Sequence, residues 1–253
     1  MTRAFNRLEW QLAGRYLRAR RRESFISIIA IISFLGIMLG VATLIVVMAV
    51  MNGFRADLLD RILGVSGHVV ARPWNGQFED RAATVARLQK LPPVVLATPL
   101  VDGQAMMSSG QAVRGVILRG MLTDALKRLP ALAGNVRAGA LDDLSQSGRV
   151  AIGLRLAERY GIGVGDPVTL IAPRGTVTPF GTTPRIKQFR VAAIFSIGLS
   201  EYDLNIVFSG LETAQGFFSE SAQSGAIELL LDDPDTVEVY REDLQNTAGL
   251  DVS

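Results

Sequence analysis

From Ser24 to Phe54 the chain runs through 31 residues without a single charge, and no other feature restricts its fold as much. Within it, Phe25–Met51 is apolar at 22 of 27 positions. As a helix those 27 residues cover roughly 40 Å, against a bilayer hydrocarbon core of about 30 Å. The excess implies tilt or a helix that runs on past the membrane surface. A buried core helix rarely goes this far without a charge. A cleaved signal peptide has a shorter apolar region and a small-x-small cleavage site. This run instead ends Ala49-Val50-Met51-Asn52-Gly53. Residues 25–54 therefore read as an uncleaved transmembrane helix.

Charge gives the helix a direction. Residues 1–24 carry seven Arg against Glu9 and Glu23, a net of +5, while the remainder sums to −3. On the far side only Arg55, Arg61 and Arg72 lie close by. The positive end stays in the cytoplasm, so residues 55–253 are expected outside it. The sequence pI of about 9.2 is thus a property of a short head and does not argue for nucleic acid. Without the apolar run the remaining residues are about 45% apolar, ordinary for a soluble domain. The absence of Cys is compatible with an extracytoplasmic domain of this size, which can build a core without disulfides.

In the head, Phe5, Leu8, Leu12 and Tyr16 recur at helical spacing with Arg on the other side. Residues 1–24 read as a basic amphipathic helix in the headgroup layer, the plainer alternative being a topology signal with no defined helix. In the span, Gly36 and Gly40 form a small-x-x-x-small pair, common by chance but suited to close helix packing.

Beyond the span the pattern is mixed. Strands are expected at Val69–Arg72, Val94–Met107, Ala112–Arg119, Val168–Ala172, Lys187–Phe195, Asn205–Phe208 and Ala226–Leu231. Helices are expected at Phe78–Leu91, Leu154–Tyr160 and Asp235–Thr247, the last with Val237, Tyr240 and Leu244 inward. A further helix to Phe218 is expected to open on a capping box, Ser209-x-x-Glu212. Irregular alternation of helix and strand argues for an α+β domain.

The segment 173–185 stands apart, with three Pro, two Gly and four Thr around one large apolar residue, Phe180. Proline limits flexibility and Thr favours extended backbone. One reading is a stiff β-arm presenting Phe180 to a partner. The other is a mobile loop, or a Phe folded back onto the domain.

Catalytic patterns are missing. There is one His, His68, beside an expected strand, and no Cys nucleophile or zinc cluster. No Lys completes a phosphate-binding loop, and Gly161-Ile162-Gly163-Val164-Gly165 precedes a strand with the wrong spacing for a dinucleotide site. Asp232-Asp233-Pro234-Asp235 lacks the alternating ligands and closing Glu of a calcium loop. No enzyme activity, cofactor or metal is expected.

Five stretches together carry a family resemblance: Arg15-Tyr16-Leu17-Arg18-Ala19-Arg20; Val50-Met51-Asn52-Gly53-Phe54 with Ile62-Leu63-Gly64; Val113–Gly120; Val150–Pro173; and Phe189–Asp203. In these the chain resembles the permease subunits of the lipoprotein-releasing ABC transporter, the LolC/LolE family of the MacB-like group. The resemblance implies an inner membrane of a Gram-negative bacterium and a MacB-like periplasmic core after one N-terminal transmembrane helix. It implies as partners a second permease subunit (same or paralogous), a cytoplasmic ATPase dimer that alone hydrolyses ATP, membrane lipids, and the lipoproteins handed to a periplasmic carrier, LolA. In the LolC-type subunit a protruding hairpin, the hook, recruits that carrier. Thr178, Pro179, Phe180 and Gly181 are similar to its tip, which favours the LolC type or a single hybrid permease. Lipoprotein acyl chains would lie against the outer half of the first helix near Val47, Met48 and Met51; Met suits variable apolar surfaces.

Family members continue into three more membrane helices, so residues 1–253 are expected to be the front part of a permease or a truncated product. A MacB-like permease for efflux or cell-wall regulation, or a single-span envelope receptor, would share much of the pattern.

Overall fold

The computed structural model describes residues 11–12, 24–63, 67–73, 77–110, 112–130, 132–178, 181–220, 223–233, 236–248 and 251–252. The chain divides into two compact units, Met1–Leu58 and Leu59–Ser253. The amphipathic pattern of residues 1–24 falls almost wholly outside the described residues.

The first unit is dominated by one helix, α1 (Ser24–Leu63), of 40 residues. Its segment Ile28–Arg55 is long and apolar enough to cross a membrane. Every residue of that segment is exposed, on all sides of the helix. A helix with no polar face and no protein cover suits a hydrocarbon solvent. Thr43 Oγ1 donates to the Leu39 carbonyl at 2.8 Å, which keeps its hydroxyl satisfied without an external partner.

The second unit is built on β1 (Val69–Arg72), α2 (Arg81–Leu88), β2 (Val94–Ser109), β3 (Ala112–Met121), α3 (Thr123–Arg128), β4 (Val136–Gly139), β5 (Arg149–Gly153), α4 (Leu154–Tyr160), β6 (Pro167–Thr178), β7 (Gly181–Phe195), α5 (Ser200–Asn205), β8 (Ile206–Gly210), α6 (Leu211–Phe218), β9 (Ala226–Leu231), α7 (Val237–Ala248) and β10 (Asp251–Val252). All ten strands join one sheet, in the order β10-β1-β9-β2-β3-β8-β5-β7-β4, with β6 paired to both β2 and β7.

That second pairing of β6 closes a circuit. β2 pairs β3, β3 pairs β8 in parallel, β8 pairs β5, β5 pairs β7 in parallel, β7 pairs β6, and β6 returns to β2. One face of each of these six strands feeds one core. It includes Met107, Leu118, Val207, Ile152, Val191 and Leu170, and α4 and α6 add Leu156 and Phe217. Closure leaves each of these six strands paired on both sides, while β10 and β4 remain at the ends of the strand order. On the outer face Phe195 and Phe208 meet edge to face at 5.3 Å under Leu126, Leu129, Leu141 and Leu144. A third cluster lies under α2 and α7, where Leu88 and Leu244 pack on Val69, Ile227 and Leu229.

The expected α+β class holds, and several elements differ in detail. Helix α2 starts at Arg81, not Phe78, because Gln77 bridges Ser224 and the Phe78 N–H goes to the Gln223 carbonyl at 2.8 Å. Asp80 then caps α2, accepting from the Ala83 N–H at 2.9 Å. The capping box at Ser209 does not form. Ser209 is the buried penultimate residue of β8, its hydroxyl donating to the Gly210 carbonyl at 3.2 Å, and Gly210 takes the N-cap position. A Cβ on Gly210 would lie 2.5 Å from the Leu144 carbonyl oxygen, so glycine is required there. The strands flanking residues 173–185 run several residues further into that segment than expected.

Candidate functional site

Strands β6 and β7 form a hairpin in two unlike sections. The inner section pairs six positions, from Pro167↔Arg190 to Ala172↔Arg185, and β2 lies alongside it through Ser108↔Thr169, Met107↔Leu170 and Met106↔Ile171. Here Val168, Leu170, Ala172 and Phe189 are buried. The register then shifts between Ala172 and Thr176. Pro173, Arg174 and Gly175 lie on one strand of the interruption and Pro184 on the other. Proline cannot donate to a ladder, and extra residues on one strand bend it. Pairing resumes at Thr176↔Thr183, Val177↔Thr182 and Thr178↔Gly181, with no third strand alongside these pairs among the described residues.

Arg185 fixes the root of this arm. Its Nη1 donates to the carbonyls of Gly216 at 3.0 Å and Phe217 at 3.4 Å, at the C-terminal end of α6. Those carbonyls carry the negative end of the helix dipole, so a guanidinium is favoured there. Beside it Lys187 Nζ stands 5.5 Å from the centroid of the Phe189 ring, and Phe189 meets Phe217 edge to face at 5.5 Å.

The open face at the root is apolar. Met106, Ile171 and Ile186 are register partners in a row across three strands. Ile186 is 66% exposed, and Val113 and Ile117 are exposed on the neighbouring β3. Sequence reasoning missed this row. Its signal was present: with Leu170 and Met107 facing the core, alternation places Ile171 and Met106 on the opposite face.

Of the arm residues singled out from sequence, Thr178 and Gly181 are the last paired residues of β6 and β7. Pro179 and Phe180 lie outside the described residues. On α1, Val47, Met48 and Met51 are all exposed, and a Cβ on Gly36 or Gly40 would meet nothing within 4 Å. At about 100° per residue, Gly36, Gly40, Val47 and Met51 share one face of the helix.

His68 is structural. Its Nδ1 accepts from the Leu231 N–H at 3.1 Å, and burial holds its pKa below the ordinary value, partly offset by the nearby Asp233 charge. Asp203, also buried, accepts from the Ile197 N–H at 2.9 Å and from the Ser196 hydroxyl at 3.1 Å, which fixes the turn between β7 and α5.

Comparison with known proteins gives consistent matches. The family described as the MacB-like periplasmic core domain matches residues 30–247. The lipoprotein-releasing system transmembrane protein LolC of Neisseria meningitidis serogroup B is 33% identical over 228 residues, covering 90% of this chain and 55% of that protein. LolC of Xylella fastidiosa strain Temecula1 is 33% identical over 232 residues, 91% of this chain and 56% of that one. The chain thus spans about half the length of the curated relatives it matches. Among solved structures, the periplasmic region of MacB from Actinobacillus actinomycetemcomitans aligns with a TM-score of 0.47 and 15% identity, covering 78% of this chain and 93% of that one.

Proposed function

The chain belongs to the LolC/LolE family of lipoprotein-releasing permeases, and from that membership we propose that it serves as the N-terminal part of a permease subunit that extracts lipoproteins from the inner membrane. Residues 1–24 lie on the cytoplasmic side, residues 25–54 span the membrane, and residues 55–253 are periplasmic. The Arg excess before the span supports this orientation. ATP is hydrolysed by a separate cytoplasmic ATPase dimer. The face of α1 that carries Gly36 and Gly40 packs against other membrane helices, and Val47, Met48 and Met51 near its outer end meet lipoprotein acyl chains.

The hairpin at 173–185 is the hook that captures the periplasmic carrier LolA, with Thr178, Pro179, Phe180 and Gly181 at its tip. The observation that carries this reading is the outer section of the arm. Among the described residues its three pairs have no third strand beside them, although a lone two-stranded ribbon gains little for folding. A ribbon held at its root by Arg185, beside the exposed Met106 and Ile186 with half-buried Ile171 between them, suits a concave apolar partner.

The test uses the full-length permease in its complex, with a photoreactive residue at position 178. Phe180→Asp is expected to abolish crosslinking to the carrier while ATP hydrolysis continues. Crosslinking that persists at the wild-type level after this substitution overturns the hook.

A further inference from the structure

Three residues separate the end of α1 from Gly67, and Gly67 is tied to the middle of the sheet. Its N–H donates to Glu228 Oε1 at 2.6 Å. The same oxygen accepts from Arg119 Nη2, also at 2.6 Å. Glu228 is on β9 and Arg119 on β3, with β2 between them, so the ion pair reaches over a whole strand. The two side chains are 2% and 7% exposed. A Cβ on Gly67 would lie 2.4 Å from Glu228 Cγ and 2.7 Å from the Leu229 carbonyl oxygen. Only glycine lets the chain enter this close to β9.

Stability alone is a weak reason for such a pair. Burying two charges costs several kcal/mol per ion, and well-packed apolar residues often do as well or better. Glu228 Oε2 is in addition buried with no hydrogen-bond partner among the described residues. What the pair does supply is a directional tie. Strand β1, which begins two residues after Gly67, is only four residues long, and its ladder to β9 has three register pairs. A pull on the chain at Gly67 would peel so short a strand from its neighbour. Through Glu228 and Arg119 the same pull reaches β9 and β3, and β3 is part of the closed ring of six strands.

We propose that Gly67, Glu228 and Arg119 form a latch that couples movement of α1 to the sheet, Glu228 and Arg119 being positioning residues for lipoprotein release. This rests on the reading of the chain as an ATP-driven permease, and it names the residues through which the work enters the outer domain.

The test compares variants of the full-length permease, assembled with its ATPase in phosphatidylethanolamine–phosphatidylglycerol vesicles and loaded with a triacylated lipoprotein. The readouts are lipoprotein released to the carrier per ATP hydrolysed, and hydrogen exchange of the backbone amides at residues 67–70. In the double variant Arg119→Met with Glu228→Leu, apolar packing replaces the pair and the acceptor for Gly67 is gone. Release per ATP should fall about tenfold, the effect of losing a hydrogen bond to a charged group, and amide exchange should rise. Arg119→Met with Glu228→Gln keeps a carbonyl acceptor for Gly67 but cuts the tie to β3, so amide exchange should stay near the wild-type rate while release per ATP is restored only in part. Should either double variant fail to fold, Gly67→Ala, whose Cβ pushes against Glu228 Cγ and the Leu229 carbonyl and so displaces the entry from the latch, should by itself lower release per ATP. A wild-type ratio in a folded Met–Leu variant or in Gly67→Ala, with faster exchange at residues 67–70, overturns the latch. A wild-type complex that hydrolyses ATP and releases no lipoprotein instead overturns the permease reading on which the latch rests.

Discussion

Hairpins β2–β3 and β6–β7 belong to the same ring and pair over ten and nine positions respectively, yet they are held in different ways. The β2–β3 ladder runs without a break from Leu100↔Met121 to Ser109↔Ala112. β2 is flanked further by β9 and β6, and β3 by β8. Its inward residues, Ala105, Met107, Val116 and Leu118, are core. The β6–β7 ladder has that support for six pairs only, then breaks where Pro173 and Pro184 fall, and continues for three pairs without a neighbour among the described residues. The difference lies in third strands, not in local pairing. Backbone ladders alone are marginal in water, so what lies beyond the break contributes little to folding. That leaves its sequence free to answer to a partner.

Two substitutions set the ends of this comparison. Leu118→Ala removes a fully buried side chain from the ring core and is expected to destabilise the domain by about 2–5 kcal/mol, read from urea unfolding. Replacing residues 174–183 by Asn-Gly deletes the whole outer section of the other hairpin. Its expected cost is below about 0.5 kcal/mol, while carrier capture is lost. An unfolding midpoint that drops as far after the deletion as after Leu118→Ala would end the distinction between the hairpins.

Arg185 sits at the boundary between the two sections. Arg185→Met keeps the apolar stem and removes both hydrogen bonds to the end of α6. The expected cost is about 1 kcal/mol, since the group is part-exposed and its gain is reduced by water. Faster amide exchange at residues 186–188 should accompany it, and unchanged exchange there would show that Arg185 does not anchor the arm.

The same two hairpins show what the sequence could and could not say. The strands of both were legible, because Val94–Met107 and Lys187–Phe195 are rich in β-formers and are bounded by Gly and Pro, but for the second the residues left a β-arm and a mobile loop both open. The interrupted arm was visible as an oddity of composition, but its register was not, since a shift of two residues depends on which long-range pairs form. Closure of the ring was invisible for the same reason: β3–β8 and β5–β7 are parallel pairs between distant segments. Short elements such as α3 and β4 carried no periodicity long enough to read. Ser209 showed how tertiary contact overrides a local motif, the strand ladder claiming it before the helix could. The latch residues were unreadable as such. Arg119 and Glu228 are 109 positions apart, and nothing in either segment announces the other.

Strand β1 extends the comparison to the opposite end of the sheet. Like the outer arm it is short, but side chains tie it down, and one tie titrates. Burial lowers the pKa of His68, whose neutral Nδ1 accepts from the Leu231 N–H. In the unfolded chain His68 protonates near pH 6.5. Below that value the unfolded state binds more protons than the folded one, so stability is lost as pH falls through the lowered folded pKa. Protonation also sets an N–H against the Leu231 N–H. The Asp233 charge opposes the shift and is the smaller influence. His68→Asn retains an acceptor that does not titrate. Between about pH 7.5 and pH 5 the wild type should lose more in melting temperature than His68→Asn. Carboxylates titrate in both chains and cancel in the difference. An equal loss in the two would show that the hydrogen bond from Leu231 to His68 does not hold β1 in place.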